Sequence, residues 1–528
     1  MPPRRIRARK NQSHDRPRRE LNGDGAVTLR SIIIIVDSGM KTQSWMFVAA
    51  LALVSGSVAA QETKTSGDTS VTQRAEALTE EQINQSHDIA SLSKLAQLYG
   101  SRNDDQRLAW VLHRVSELTP NSGDLKLQLA LVYAKMADKA RAYDALMRMQ
   151  VQGFGYDIGK DPRFVPIQGT KVWDYLVANL DQNNKQFGEG KVAFELPKGD
   201  NLMNALAWDP KRKAFLIGSG RDGSIHLADE KGKLTDFVAA DANKDLWGVD
   251  ALGVDSVHNK LYVTTSAAPR FSGFNADNAD KAAVLEFDLS TGKFLHKYTT
   301  QNEAGKRTFN AIAVSKGGQV YVADGAHKAI FKIEAGALKP IVQNPKLANI
   351  TAIAVTDDGR TLFLADYADG IFGFDLAKGA AFEPKYNSEQ LVLGGIVGMH
   401  WYEGNLIIVE DGMTPKRVMR LKLSDDNTAI VGAMGLDVAN DAFTALGDGT
   451  IAGDNLYFVA NRQDDLYDSH GVLTDVANVE PESIFKSNVR FAWGQSGVMK
   501  TTGAVPVAKP GTYDKKPLAP PSTDSDKH

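Results

Sequence analysis

Residues 309–333 read FNAIAVSKGGQVYVADGAHKAIFKI. An apolar strand from Phe309, a Gly317-Gly318 turn, a second strand ending in Ala323-Asp324, a short turn and a third alternating strand fit into this stretch. Such a meander has two apolar faces and cannot bury both alone, so the pattern predicts copies packed side by side.

The copies are present. Asn204 to Asp209 precedes Ala214 to Ser219, and Asp250 to Asp255 precedes Leu261 to Thr265. Thr351 to Val355 precedes Leu362 to Asp366, Val397 to Trp401 precedes Leu406 to Asp411, and Thr444 to Leu446 precedes Leu456 to Asn461. The starts at 204, 250, 310, 351, 397 and 444 are spaced by 46, 60, 41, 46 and 47 residues, the period of four-stranded propeller blades. Six blades are expected. A strand at Val192 to Pro197 lies before the first full unit, where it predicts closure of the last blade with strands from Thr444 to Ala460 and Ser483 to Phe491. The second unit carries an insertion, Ala267 to Asp280, which reads either as a ligand-contacting loop or as a tolerated surface insertion.

The whole chain has 528 residues, 43% apolar and 24% charged, which is too long for one core and predicts two folded domains. It has no cysteine, excluding a disulfide framework, thiol nucleophiles and Cys-ligated metals. Residues 1–39 are Arg-rich and aperiodic, read as a start assigned too far upstream or, alternatively, a basic nucleic-acid arm. Met40 opens an export signal: Lys41, an apolar run from Met46 to Val54, then Val58-Ala59-Ala60 before Gln61. The apolar run is too short to span a bilayer comfortably, so no stable membrane span is expected after cleavage near Ala60, and the location expected is periplasmic or secreted. Without residues 1–60 the chain keeps 51 basic against 60 acidic residues, a net of −9, which argues against nucleic acid as a partner.

Residues 61–74 read as a linker, and residues 75–185 as paired antiparallel helices with stripes such as Ile89, Leu92, Leu95, Leu98 and Tyr99. Asp104, Ser122 and Asp138 stand where N-caps are expected, and Pro120 and Gly153 where helices end. The run from Leu127 to Met149, LQLALVYAKMADKARAYDALMRM, resembles a tetratricopeptide repeat, with Ala130, Tyr133, Ala142 and Leu146 near the helix-packing positions. That resemblance implies a peptide- or protein-binding groove; a cap packed on the propeller is the alternative. From about Val505 the Pro-rich end of residues 493–528 predicts a disordered tail.

With Phe309 to Val314 and Val320 to Asp324, and the parallel unit from Thr351 to Asp366, residues 190–492 resemble blades of the NHL-repeat and gluconolactonase superfamily. The fold class expected is therefore mainly β, a six-bladed propeller behind an all-α helical-repeat domain. In that superfamily's enzymes a divalent cation, usually calcium, is held on the axis by side chains just before the innermost strands. The positions here are Asn204, Asp250, Asn310, Thr351, Val397 and Thr444; Asn204 replaces a Glu and Thr351 the Asp that serves as ligand and base. Calcium takes six to eight oxygens, so one Asp and two amides make a weak site, and Thr351 has no suitable pKa to activate water.

A second polar series, Ser219, Thr265, Asp324, Asp366, Asp411 and Asn461, ends the following strands; it reads as a repeated Asx or Ser/Thr turn, or as further acidic ligands. His226, His258, His296, His327 and His400 show no zinc spacing. The polar stretch from Ala460 to Asp468 lines a mouth or forms a solvated loop. Two functions follow: a binding protein for a small molecule or protein partner, and a calcium-dependent lactonase-like hydrolase around Asn204, Asp250, Asn310 and Asp366.

Overall fold

The computed structural model describes residues 78–300 and 307–490. The upstream extension, the export signal, the linker and the Pro-rich tail lie outside the described residues. No described helix is long and apolar enough to cross a membrane.

The helical part comprises α1 (Glu80–Asn84), α2 (Ile89–Ser101), α3 (Asp105–Leu118), α4 (Gly123–Lys135), α5 (Lys139–Val151) and α6 (Lys171–Asn183). Asp104, Ser122 and Asp138 cap α3, α4 and α5, each side chain accepting from an early helix N–H. Those bonds satisfy donors that helix geometry leaves without partners. Hairpins α2/α3 and α4/α5 stack in order and α6 follows α5. Ala130, Tyr133, Ala142 and Leu146 are all buried between them.

Among the described residues, twenty-four strands then make six four-stranded antiparallel sheets. Blade one is β2 (Ala205–Asp209), β3 (Ala214–Gly218), β4 (Ile225–Ala228) and β5 (Leu234–Val238). Blade two is β6 (Gly248–Asp255), β7 (Lys260–Ser266), β8 (Ala282–Asp288) and β9 (Phe294–Tyr298). Blade three is β10 (Phe309–Val314), β11 (Val320–Asp324), β12 (Ala329–Glu334) and β13 (Ala337–Gln343). Blade four is β14 (Ile350–Val355), β15 (Thr361–Asp366), β16 (Gly370–Asp375) and β17 (Ala380–Phe382). Blade five is β18 (Ile396–Tyr402), β19 (Asn405–Glu410), β20 (Arg417–Leu423) and β21 (Ile430–Val438). Blade six takes β22 (Gly449–Ala452), β23 (Asn455–Val459) and β24 (Ser483–Asn488), with β1 (Lys191–Glu195) on its outer edge. The innermost strands touch their neighbours in turn, and β22 returns to β2, so the ring is closed.

The core lies between blades. Side chains of blades one and two share one cluster, two and three another, and so on to the sixth interface, where Phe194 and Leu196 join Phe215, Ile217 and Ile484. Strand β1 pairs antiparallel with β24 from Lys191↔Lys486 to Glu195↔Ser483, covering an edge that otherwise presents free backbone groups.

The helical part docks on the connections of blades four and five. Asn121 Nδ2 donates to Ala368 O at 3.0 Å and its Oδ1 accepts from Leu393 N at 3.3 Å. Gln152 Nε2 donates to Ser388 O at 3.1 Å, and Gly155 N to Thr414 O at 2.9 Å. Val392 and Met413 of the propeller are buried in the helical core. In a meander ring the second-to-third connections and the links to the next blade share one end, so the helices sit on the face where the innermost strands begin.

Closure through β1 generates a stability prediction. Phe194 is buried with its ring centroid 5.4 Å from that of Phe215, so Phe194→Ala is expected to cost about 3–5 kcal/mol. Val192, exposed on the same strand, is expected to lose well under ~1 kcal/mol on substitution by Ala. Urea midpoints of the two variants check the difference.

Candidate functional site

At the rim where the innermost strands begin, four blades share one device. The pairing of β6, β10, β14 and β18 skips a residue at Asp250, Asn310, Thr351 and Val397. Each is thus the extra residue of a β-bulge, which frees a side chain from the ladder's alternation. Asn310 Nδ2 donates to Ile350 O at 2.7 Å, and Thr351 Oγ1 to Ile396 O at 2.6 Å. In both cases a bulge side chain straps onto the carbonyl just before the next blade's bulge. Asn310 Oδ1 also accepts from Gly325 N at 2.9 Å.

Blade six departs from the sequence register. Its innermost strand starts at Gly449, not at Thr444, which lies in the preceding loop with its N–H on Ala460 O. The residue before that strand is Asp448, whose Oδ1 lies 3.0 Å from His400 Nε2 without hydrogen-bonding alignment. A Cβ at Gly449 meets Tyr457 O at 2.1 Å, so glycine is required at the crossing. The apolar triplet at 444–446 imitates a strand start, which is why the pattern alone misplaces this blade.

The straps give way to charge at blades one and two. Asp250, nearly fully buried, accepts from Ser266 Oγ and from Arg270 Nη2, both at 2.5 Å. Arg270 comes from the blade-two insertion, and its Nη1 lies 3.4 Å from Asp464 Oδ1. Asp464 follows blade six's second strand; its Oδ2 accepts from Asn204 Nδ2 at 3.1 Å and lies 3.6 Å from Arg462 Nη1. Burial pushes the Asp250 carboxyl above its ordinary value against the opposing pull of Arg270 and Ser266. The Arg270 side chain remains 38% exposed, so this pair opens to the mouth.

Two loops brace the cluster, and Arg221 joins them. Its Nη1 donates to the carbonyls of Arg270 and Gly471, its Nη2 lies 3.0 Å from Asp200 Oδ2, and its guanidinium stacks 4.9 Å from the Tyr467 ring centre. Tyr467 Oη donates to Asp200 Oδ1 at 2.5 Å. A Cβ at Gly471 would meet Pro269 O at 1.9 Å, so glycine is required where the two loops pass. The insertion and the loop after blade six's second strand are thereby held together at this corner.

Glu482 closes the floor of this corner. Its side chain is 5% exposed; Oε2 accepts from Met203 N at 2.8 Å, and Oε1 is buried without a hydrogen-bond partner among the described residues. Burial raises its carboxyl to about 7, and the negative charge of Asp464 adds to the rise. Arg270 and Asp464 fall within the two loop stretches that the sequence marks, but neither is marked individually, and Glu482 and Arg221 do not stand out at all, because each meets its partners only after the ring closes.

The second polar series does turn and strap work. Ser219 Oγ accepts from Arg221 N and Asp222 N, and Thr265 Oγ1 from Trp247 N at 2.7 Å. Asp366 accepts from Asn349 N, Ala368 N and Asp369 N, and Asp324 takes Arg307 and the N–H of His327. In blade five the register places Glu410, opposite Ile396, at this position instead of Asp411. Glu410 is buried against Arg417 at 2.5 Å, and Arg417 also donates to Val392 O beneath the helical part. Asp411 accepts from Lys416 Nζ and Leu446 N.

These contacts decide the fit of calcium to Asn204, Asp250, Asn310 and Asp366. Asp366 spends both oxygens on backbone N–H groups and Asn310 spends its amide on two blades, while Asp250 already faces a guanidinium. Among the described residues no group of three or more acidic or histidine side chains could hold a metal. The four residues do not fit a calcium ion as they are arranged, since Arg270 supplies positive charge where the ion would have to neutralise Asp250.

No protein-family model matches the chain, and no curated protein matches it significantly. Among solved structures it is similar to the PQQ-bound aldose sugar dehydrogenase of Streptomyces coelicolor, at 13% identity over 57% of this chain and 99% of that one, TM-score 0.38. It is also similar to virginiamycin B lyase of Staphylococcus aureus, at 16% identity over 52% of this chain and 84% of that one, TM-score 0.37. The propeller assignment rests on the strand pairing.

Two outcomes follow from the charges. Arg270→Met leaves Asp250 without its counter-charge, a loss on the order of 3 kcal/mol, and adding Asp250→Asn is expected to restore much of it in thermal unfolding. Millimolar calcium, read against EDTA, is expected to raise the Tm of Arg270→Met and leave the parent unchanged. Separately, burial first raises Asp369 and Asp437 to about 6 and Glu482 to about 7. Groups raised in the folded state stabilise it below their unfolded values and lose that contribution as pH rises through the folded ones. Stability is therefore expected to fall as pH rises toward about 7, and Glu482→Gln to flatten the fall in urea titrations across that range.

Proposed function

We propose that this chain is an exported binding protein whose propeller mouth, at the corner shared by blades six, one and two, holds a small molecule or a short segment of a protein partner. One observation carries the reading: Asn204, Asp250, Arg270 and Asp464 gather under two braced loops, with Arg270 open to the mouth, at blades that lack the straps made by Asn310 and Thr351. A rigid ring with charged groups set at one corner and long loops over it suits recognition.

The gluconolactonase-like reading of the blades supports a ligand on the axis but asks more of this corner. A lactonase-like hydrolase needs a base, and Thr351, where that superfamily has an Asp, spends its hydroxyl on Ile396 O. Binding without turnover is the simpler consequence. In this proposal the helical hairpins are tetratricopeptide-like, and their docking on blades four and five makes them a wall beside the mouth. Cleavage near Ala60 releases the chain into a periplasmic or extracellular space.

The test is a small-molecule screen by thermal unfolding, run in parallel on the full chain and on Asp464→Asn. A compound at about 100 times its Kd stabilises by roughly 2.7 kcal/mol, a shift of a few degrees. Compounds that shift the parent and lose the shift in Asp464→Asn support the mouth. A screen in which no compound separates the two proteins overturns it.

A further inference from the structure

The corner between Asn204, Asp464 and Glu482 has more acceptors than donors. Asp464 Oδ2 takes the Asn204 side-chain N–H, and Glu482 Oε2 takes the backbone N–H of the residue before it, Met203. The carboxylates of Glu482 and Asp464 thus bond to the consecutive residues Met203 and Asn204, and the negative charge of Asp464 acts on Glu482. Glu482 Oε1 and Asn204 Oδ1 are both buried without a hydrogen-bond partner among the described residues. A buried acceptor left without a partner has lost its water without replacement, so an incoming donor gains there.

Charge and valence narrow the donor. Arg270 pairs with Asp250 and Asp464, and Arg462 lies 3.6 Å from Asp464, so the carboxyl of Glu482 adds negative charge beside Asp464 that neither arginine pairs. A bare divalent ion needs six or more oxygens, and only two are uncommitted here. An alkylammonium carries three N–H donors on one positive centre and no acceptor, matching two orphan oxygens and a remaining lone pair of Asp464.

We propose that this corner recognises the primary ammonium group of an organic ligand, with Glu482 Oε1 and Asn204 Oδ1 accepting its hydrogen bonds and Asp464 supplying further negative charge. The proposal rests on the mouth being a binding site and names the chemistry that it selects. The charged and titratable groups that act on Glu482 or are acted on by it are Asp464 and Tyr467; Arg270 and Arg462 reach Asp464, and Asp250 lies behind Arg270.

The experiment is titration calorimetry and thermal unfolding of the full chain with n-butylamine, and with n-butanol, sodium butyrate and calcium chloride as neutral, anionic and metal counterparts. At pH about 8, where Glu482 is ionised, butylamine is expected to bind and raise the Tm by a few degrees while the other three do not. Glu482→Gln, of the same shape, is expected to lose at least tenfold in affinity at unchanged fold, and the parent to lose the same factor when the pH is lowered to about 5. Butylamine binding that is equal in Glu482→Gln, or no amine binding at pH about 8, overturns the ammonium site. If butyrate or a library compound still depends on Asp464, the mouth reading stands and only the ligand class falls.

Discussion

Each blade of this ring is apolar on both faces, and no blade is stable without a neighbour on each side. The six core clusters are built from adjacent pairs of blades, so the sixth interface has to form before the others are secure. With no cysteine in the chain, backbone pairing and apolar packing carry that closure. The segment arriving from the helices is fixed in steps: Phe187 bridges Val438 of blade five, Gly190 N donates to Asp437 Oδ1 at 2.7 Å, and β1 then pairs with β24. Asp437 also accepts from Ser487 of β24. One buried carboxyl thereby ties blade five, the incoming chain and blade six at the seam.

The same constraint explains the placement of the helices. A short hairpin stack has too little surface to bury its own outer face, and it borrows Val392 and Met413 from the propeller. The polar contacts that Asn121, Gln152 and Gly155 make with the propeller go to backbone carbonyls or N–H groups of blade-four and blade-five connections. Beneath them the buried Glu410–Arg417 pair sets the blade-five turn. Such a pair contributes orientation more than stability, since desolvation offsets much of its attraction.

Much of this architecture is legible in the residues. Alternating strands at near-constant spacing announce six blades, and Asp104, Ser122 and Asp138 announce helix starts, because both signals are local. The bulge positions Asp250, Asn310, Thr351 and Val397 are visible too, as the polar or odd residue ahead of a small one. Blade six is misread because Thr444 to Leu446 has the local pattern of a strand without its partner, and Glu410 is passed over for Asp411 because register is decided across strands. The candidate corner is the least legible part. Arg270 meets Asp464 across 194 residues and Asn204 meets it across 260, and no periodicity marks contacts made by loops once a ring has closed.

The electrostatics of that corner follow from how the straps fail. Asn310 and Thr351 can reach the next blade's carbonyl because an amide and a hydroxyl donate; an ionised Asp250 cannot, so the strap position in blade two holds an uncompensated acceptor. Ser266 and Arg270 satisfy it, but Arg270 comes from an insertion that must then be held down. Arg221 does so by binding the backbone of both mouth loops. A single Asp at a strap position thus requires a cation, the cation requires a long loop, and the loop requires a brace. The chain of dependence ends at Glu482 and Asn204, each of which keeps a buried oxygen without a hydrogen-bond partner among the described residues.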